Sequence, residues 1–109
     1  MTAPAERPWF TTWAQVLEVL AELEPTDIVC FSGSNVSGDD RCVVYDDEEL
    51  GEDEDVPSEA LAEGLTVCLL KEQIEDVVEN VRLQVAEPDT GTLYGAISYF
   101  VKNDAFVKL

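Results

Sequence analysis

The chain has 109 residues, enough for one domain with one core. It carries 24 Asp and Glu against 6 Lys and Arg, a formal net charge of −18 that opposes direct binding to nucleic acid or to an anionic membrane. His is absent, which excludes Ser-His and Cys-His nucleophile systems and imidazole metal ligands.

Residues 1–10 read as a loose arm ending in Pro8-Trp9-Phe10. A helix is predicted from Thr11 or Thr12, with Thr12 and Gln15 as a capping box and Pro25 as the stop near Glu24. Trp13, Val16, Leu17, Leu20 and Leu23 recur at helical spacing and form its inner stripe. Residues 27–31 and 41–45 are rich in β-branched and aromatic side chains, and predict two strands of a hairpin with a long Gly/Ser/Asn/Asp connection. Residues 46–59 contain no basic side chain and predict an exposed acidic loop. Ser58 is placed to start a short helical turn that Gly64 ends.

Residues 65–70 form the most apolar run and predict a central strand. A helix over 71–85 follows, with Ile74, Val77, Val78, Val81 and Val85 inward and Glu72, Glu75, Asp76 and Glu79 outward. Residues 92–101 suit a third helix, although Thr92, Tyr94, Ile97, Tyr99 and Val101 also suit a strand and Gly95 weakens a helix. A short edge strand is expected over 105–109. Together these elements predict an α+β fold over residues 1–109: a small sheet of three to four strands with two or three helices packed on it.

Little in the chain points to catalysis. There is no phosphate-binding loop, and Ser32-Gly33-Ser34 lacks the flanking pattern of a nucleophile elbow. The run from Asp46 superficially resembles a calcium loop, but Leu50 and Pro57 occupy its fifth and twelfth positions, where ligands should stand. Cys30, Cys42 and Cys68 lie in apolar runs and read as buried free thiols of a reducing cytosol, with a Cys30–Cys42 bridge the alternative. The first residues lack a basic stretch followed by an apolar one, so no leader peptide is predicted. No cofactor or metal is expected, and the chain is expected to act without turnover as a monomer or weak dimer.

The surplus of carboxylates instead predicts a cationic partner, which a field of this sign captures quickly. The partner-binding residues are expected to be Asp46, Asp47, Glu48, Glu49, Glu52, Asp53, Glu54 and Asp55 of the acidic run, Glu72, Glu75, Asp76 and Glu79 of the following helix, and Tyr45. Trp9, Phe10 and Tyr94 are further aromatic anchors, because rim charges alone supply little binding energy. The small α+β layout, the acidic run and the stretch Ile74-Glu75-Asp76-Val77-Val78-Glu79-Asn80 resemble the small acidic immunity proteins of bacterial toxin systems, including contact-dependent growth inhibition. The ending Asn103-Asp104-Ala105-Phe106-Val107 is similar to that of a group of uncharacterised small bacterial domains. The resemblance implies a cytoplasmic, non-catalytic inhibitor that occludes a basic toxin, with a nuclease as the target expected from the charge. The competing readings are a DNA-mimic inhibitor of a DNA-binding protein, and an acidic adaptor whose charge serves solubility.

Overall fold

The computed structural model of the protein describes residues 6–33, 36–50 and 56–108. Four strands, β1 (Trp9–Thr12), β2 (Asp27–Phe31), β3 (Arg41–Asp46) and β4 (Val67–Leu70), form one antiparallel sheet in the order β1-β3-β2-β4. Four helices accompany them: α1 (Trp13–Glu18), α2 (Ser58–Ala62), α3 (Lys71–Gln84) and α4 (Thr90–Asn103). This is the α+β architecture that the hydrophobic patterning predicts.

The sheet is covered on both faces, as the continuous apolar runs of its central strands require, since successive side chains point to opposite faces. Val29 and Phe31 of β2, with Cys42 and Val44 of β3, point into the main core. There they meet Trp13 and Val16 of α1, Ile74, Val77 and Val81 of α3, and Ala96 and Ile97 of α4. Ile28, Cys30 and Val43 point the other way and are covered by Ala60 of α2 and by Leu65, with Tyr45, Leu50, Val56 and Cys68 packed around them. Leu50 and Val56, which belong to the acidic run, thus join the cover of the second face.

Several boundaries differ from expectation. The N-terminal arm is not loose to its end: Trp9 pairs with Val44, and Phe10 with Val43, so the sheet begins at residue 9. Helix α1 stops at Glu18, and Leu20–Glu22 continue as a 3₁₀ turn that still buries Leu20. The tighter turn fits a chain that must leave helical geometry before Pro25. Thr12 makes no side-chain cap; its neighbour Thr11 donates its hydroxyl to Gln15 Oε1 instead. Strand β4 lies at an edge beside β2, not in the centre. Its apolar character reflects cover on both faces: Leu69 enters the main core while Cys68 joins the opposite cluster. The expected strand near the end of the chain does not form over residues 104–108. Phe106 stacks on Phe100 of α4 instead, with ring centroids 5.7 Å apart.

The long β2–β3 connection is fastened at several points. The backbone N–H groups of Trp13 and Ala14 donate to the carbonyls of Asp40 and Gly38, and that of Val36 donates to Ser98 Oγ. Gly33 sits at φ +86°, and a Cβ there would come within 2.3 Å of Val67 Cγ2, so only glycine lets the chain leave β2 beside the edge strand. No helix among the described residues is long and apolar enough to cross a membrane.

Segment 92–101, which the sequence leaves between helix and strand, is helical, and its N-cap explains why. Asp89 accepts the backbone N–H of Thr92 at 2.7 Å, which satisfies an orphan donor of α4. That bond, with a further one from the Thr92 side chain, holds the Asp89 carboxyl below the ordinary aspartate value. A folded-state pKa below the unfolded one stabilises the protein at pH values above the unfolded pKa, and that gain disappears as pH falls through the folded value. Asp89→Ala is therefore expected to lower Tm at pH 7. The gap to the parent should narrow in thermal scans as pH falls below the ordinary aspartate value of about 3.9, and close once it is below the folded value.

Candidate functional site

Helix α3 begins directly after β4. Its first turn is capped by Gln73, whose Oε1 accepts the backbone N–H of Leu70 at 2.9 Å. Ile74, Val77, Val78 and Val81 bury one side, so the spacing of the chain puts Glu72, Glu75, Asp76 and Glu79 on the solvent side, where all four are exposed. From Glu72 to Glu79 the stripe runs about 10 Å along the helix axis. Glu72–Asp76 and Glu75–Glu79 are like-charge neighbours four apart, and Glu72–Glu75 and Asp76–Glu79 three apart. Each such pair costs an isolated helix roughly 0.2–0.5 kcal/mol. The face is thus internally repelled, and a bound cation relieves it. Leu83 lies on the same side, four residues after Glu79, and is 80% exposed.

Beside this stripe is a groove of about 380 Å³ between α3, α4 and the α1 region. Leu17, Leu20, Val78 and Leu93 give it apolar walls, and Glu18, Glu75, Glu79 and Arg82 bring charge to it. The burial pattern creates the depression: Val78 and Leu20 are turned into the main core while the adjoining carboxylates point out. Two of the expected partner-binding residues, Glu75 and Glu79, therefore border an apolar surface. Glu18 and Arg82 also border it, and sequence reading missed them because the groove is assembled from elements distant in the chain. The helical spacing of Trp13, Val16, Leu17 and Leu20 carries a signal for Glu18, since it sets that residue off the buried stripe.

The acidic run forms a second cluster. Asp46 closes β3, half-buried, and its Oδ1 accepts the backbone N–H of Glu48 at 3.0 Å, capping a 3₁₀ turn over Asp47–Glu49. Asp47 donates its own backbone N–H to the Thr26 carbonyl, so the turn is held against the start of β2. Asp47, Glu48 and Glu49 are exposed. The expectation of a wholly exposed loop over 46–59 is corrected at four of the described positions: Asp46 is half-buried at the end of β3, Leu50 and Val56 pack into the second cluster, and Pro57 is buried. Glu52, Asp53, Glu54 and Asp55 lie outside the described residues. Tyr45 packs against the second cluster and is half-buried, and Trp9 and Tyr94 lean on the main core. Among the four aromatic anchors expected, Phe10 is the most open, at 47% exposure.

The two clusters share one end of the sheet. Ile28 is paired with Tyr45 on one side and with Leu70 on the other, so the end of β3 and the start of α3 are two strand spacings apart, about 10 Å. Asp46–Glu49 and Glu72 thus lie at the same end of the sheet, while Glu75, Asp76 and Glu79 lead away along α3 toward the groove.

Cation is scarce at this end, and its position is informative. Arg7 grips Asp27 with two hydrogen bonds, Nε to Oδ1 at 3.0 Å and Nη2 to Oδ2 at 2.8 Å. The hydrogen bond to Asp27 is the chief reason its guanidinium pKa is raised further, and the nearby charges of Asp27, Asp46 and Glu24 add to the effect. Asp46 stands directly across the β2–β3 ladder from Asp27. Opposed carboxylates repel, and Arg7 is the charge that compensates them. Lys71 turns its ammonium onto the Leu23 carbonyl, and Arg41 pairs with Glu63 at 2.9 Å. Arg7, Lys71 and Arg41 are thereby engaged in the fold.

None of the curated proteins and none of the solved structures matches this chain. A family model described as a domain of unknown function (DUF7716) matches residues 10–109, covering both acidic clusters and the groove, and the chain belongs to that family.

Proposed function

We propose that this protein is an immunity protein of a toxin–immunity pair: it binds a basic toxin domain in the cytoplasm and blocks it by occupation, without turnover. The observation that carries this reading is the pairing of an acidic stripe with an apolar groove on α3. Carboxylates on a rim steer and orient a cationic surface, and the adjoining apolar depression, with the exposed Leu83 on the acidic side of the same helix, supplies the desolvated contact that charges alone do not. A nuclease is the fitting target, because side chains that hold substrate phosphates also accept carboxylates in charge-assisted hydrogen bonds.

The experiment is binding and inhibition with the basic toxin domain encoded beside this gene. The parent protein is expected to co-purify with it and abolish its activity. E75K/E79K, a change confined to exposed positions, is expected to lower the association rate tenfold or more at low ionic strength, with a smaller effect at high salt. D47K/E48K/E49K is the comparison variant, and it tells whether the sheet-end cluster or the α3 stripe makes the interface. Absence of binding by the parent, or loss of inhibition in neither variant, rules out electrostatic capture through these clusters.

A further inference from the structure

We propose that Cys30 and Cys68 form a redox couple: hydrogen peroxide converts them to a cross-strand disulfide that ties edge strand β4 to β2, and a thiol reductant reverses it. The register of the sheet carries this inference. Cys30 of β2 and Cys68 of β4 are direct partners in the antiparallel ladder. Directly opposed residues in such a ladder have Cα atoms about 4.5–5.5 Å apart, inside the range of roughly 4.4–6.8 Å that a disulfide spans. Both side chains lie on the second face of the sheet, Cys30 within the cluster and Cys68 packed against it. The register and the shared face therefore place the two thiols within the reach of a bridge.

The bridge considered from sequence, Cys30 to Cys42, is excluded by the same register. Cys30 opposes Val43, while Cys42 opposes Thr11 and faces the main core on the other side of the sheet.

The two thiols also differ in the way such a couple requires. Cys68 is half-buried on an edge strand, and Cys30 is fully buried beneath it. A hydrogen bond from Cys30 holds the Cys68 thiol below its ordinary pKa, although partial burial works against it. Cys30 is pushed far up by the same hydrogen bond and by burial. The accessible sulfur is thus the nucleophile and the buried one resolves. The Cys68 thiolate attacks one peroxide oxygen; the O–O bond breaks and the departing hydroxide takes up a proton as water, leaving a sulfenic acid. The Cys30 sulfur then attacks the Cys68 sulfur; the S–S bond forms, the S–O bond breaks, and the Cys30 proton leaves in a second water. Two electrons pass from the thiols to the peroxide.

The test uses the full, reduced chain treated with a small excess of hydrogen peroxide near neutral pH. Intact mass is expected to fall by two hydrogens, with no oxygen retained, and dithiothreitol should restore it. A non-reducing peptide map after cleavage at acidic residues, which separates Cys42 from Cys68, should link Cys30 to Cys68. Cys42→Ser should behave as the parent does, and Cys68→Ser should not lose the two hydrogens. Oxygen retained on Cys68, a link through Cys42, a link between two chains, or a two-hydrogen loss in Cys68→Ser would each overturn the proposal.

Discussion

Arg7→Met is expected to lower the free energy of unfolding by about 3–5 kcal/mol, read as a large drop in the urea midpoint at unchanged slope. Asp27 is 2% exposed and belongs to the floor of the sheet end, where its carboxylate accepts both Arg7 nitrogens and the backbone N–H of Glu24. Removing the guanidinium leaves a buried charge with one neutral donor, facing Asp46 across the ladder. The loss comes from that stranded carboxylate more than from the attraction itself, because a buried pair repays much of its own desolvation. Arg7→Met/Asp27→Asn is the control. The amide oxygen of Asn still accepts the Glu24 N–H, and no charge remains buried, so the double variant should be more stable than Arg7→Met alone. A single-variant cost below about 1 kcal/mol would place the pair with ordinary surface ion pairs.

Trp13→Ala is expected to cost about 3–5 kcal/mol, the range for truncating a buried aromatic ring. The ring is fully buried and stands edge-on to Phe31, with centroids 5.0 Å apart and planes at 72°. It is the first residue of α1 and joins that helix to β2, so its loss opens a cavity between the helical layer and the sheet. Among the described residues its indole N–H finds no acceptor. An unpaired buried donor offsets part of what the ring contributes. Trp13→Phe should therefore be milder than its lost volume implies, and equilibrium urea unfolding of both variants followed by circular dichroism checks the ordering.

Periodicity made much of this fold legible. Strands β2 and β3 are short apolar runs rich in β-branched and aromatic residues, helix α3 carries a clear 3.6-residue stripe, and each is found within a residue or so of its expected bounds. What escaped were features decided by distant partners. Trp9–Thr12 is a strand because β3 offers it an edge, which no local pattern around Pro8 reveals. Residues 67–70 are apolar because two different layers cover them, and the same composition would describe a central strand. Thr92, Tyr94 and Ile97 left α4 open until the Asp89 cap was visible. For the candidate site, the acidic outer side of α3 followed directly from its buried stripe. The groove could not be read in advance, since Leu17 and Leu93 meet Val78 only after three elements have packed.

The two outer strands of the sheet are each four residues long, and among the described residues no further strand pairs with their outer sides, so they offer backbone donors and acceptors to a strand of suitable length. Another molecule of the same chain is the nearest source of such a strand, and it would arrive with its own charge of −18. Mutual repulsion then guards unpaired backbone that shape alone leaves available. Acid or concentrated salt lifts the guard, so colloidal behaviour and stacking of one sheet onto the next belong to the same carboxylates that shape the outer face of α3.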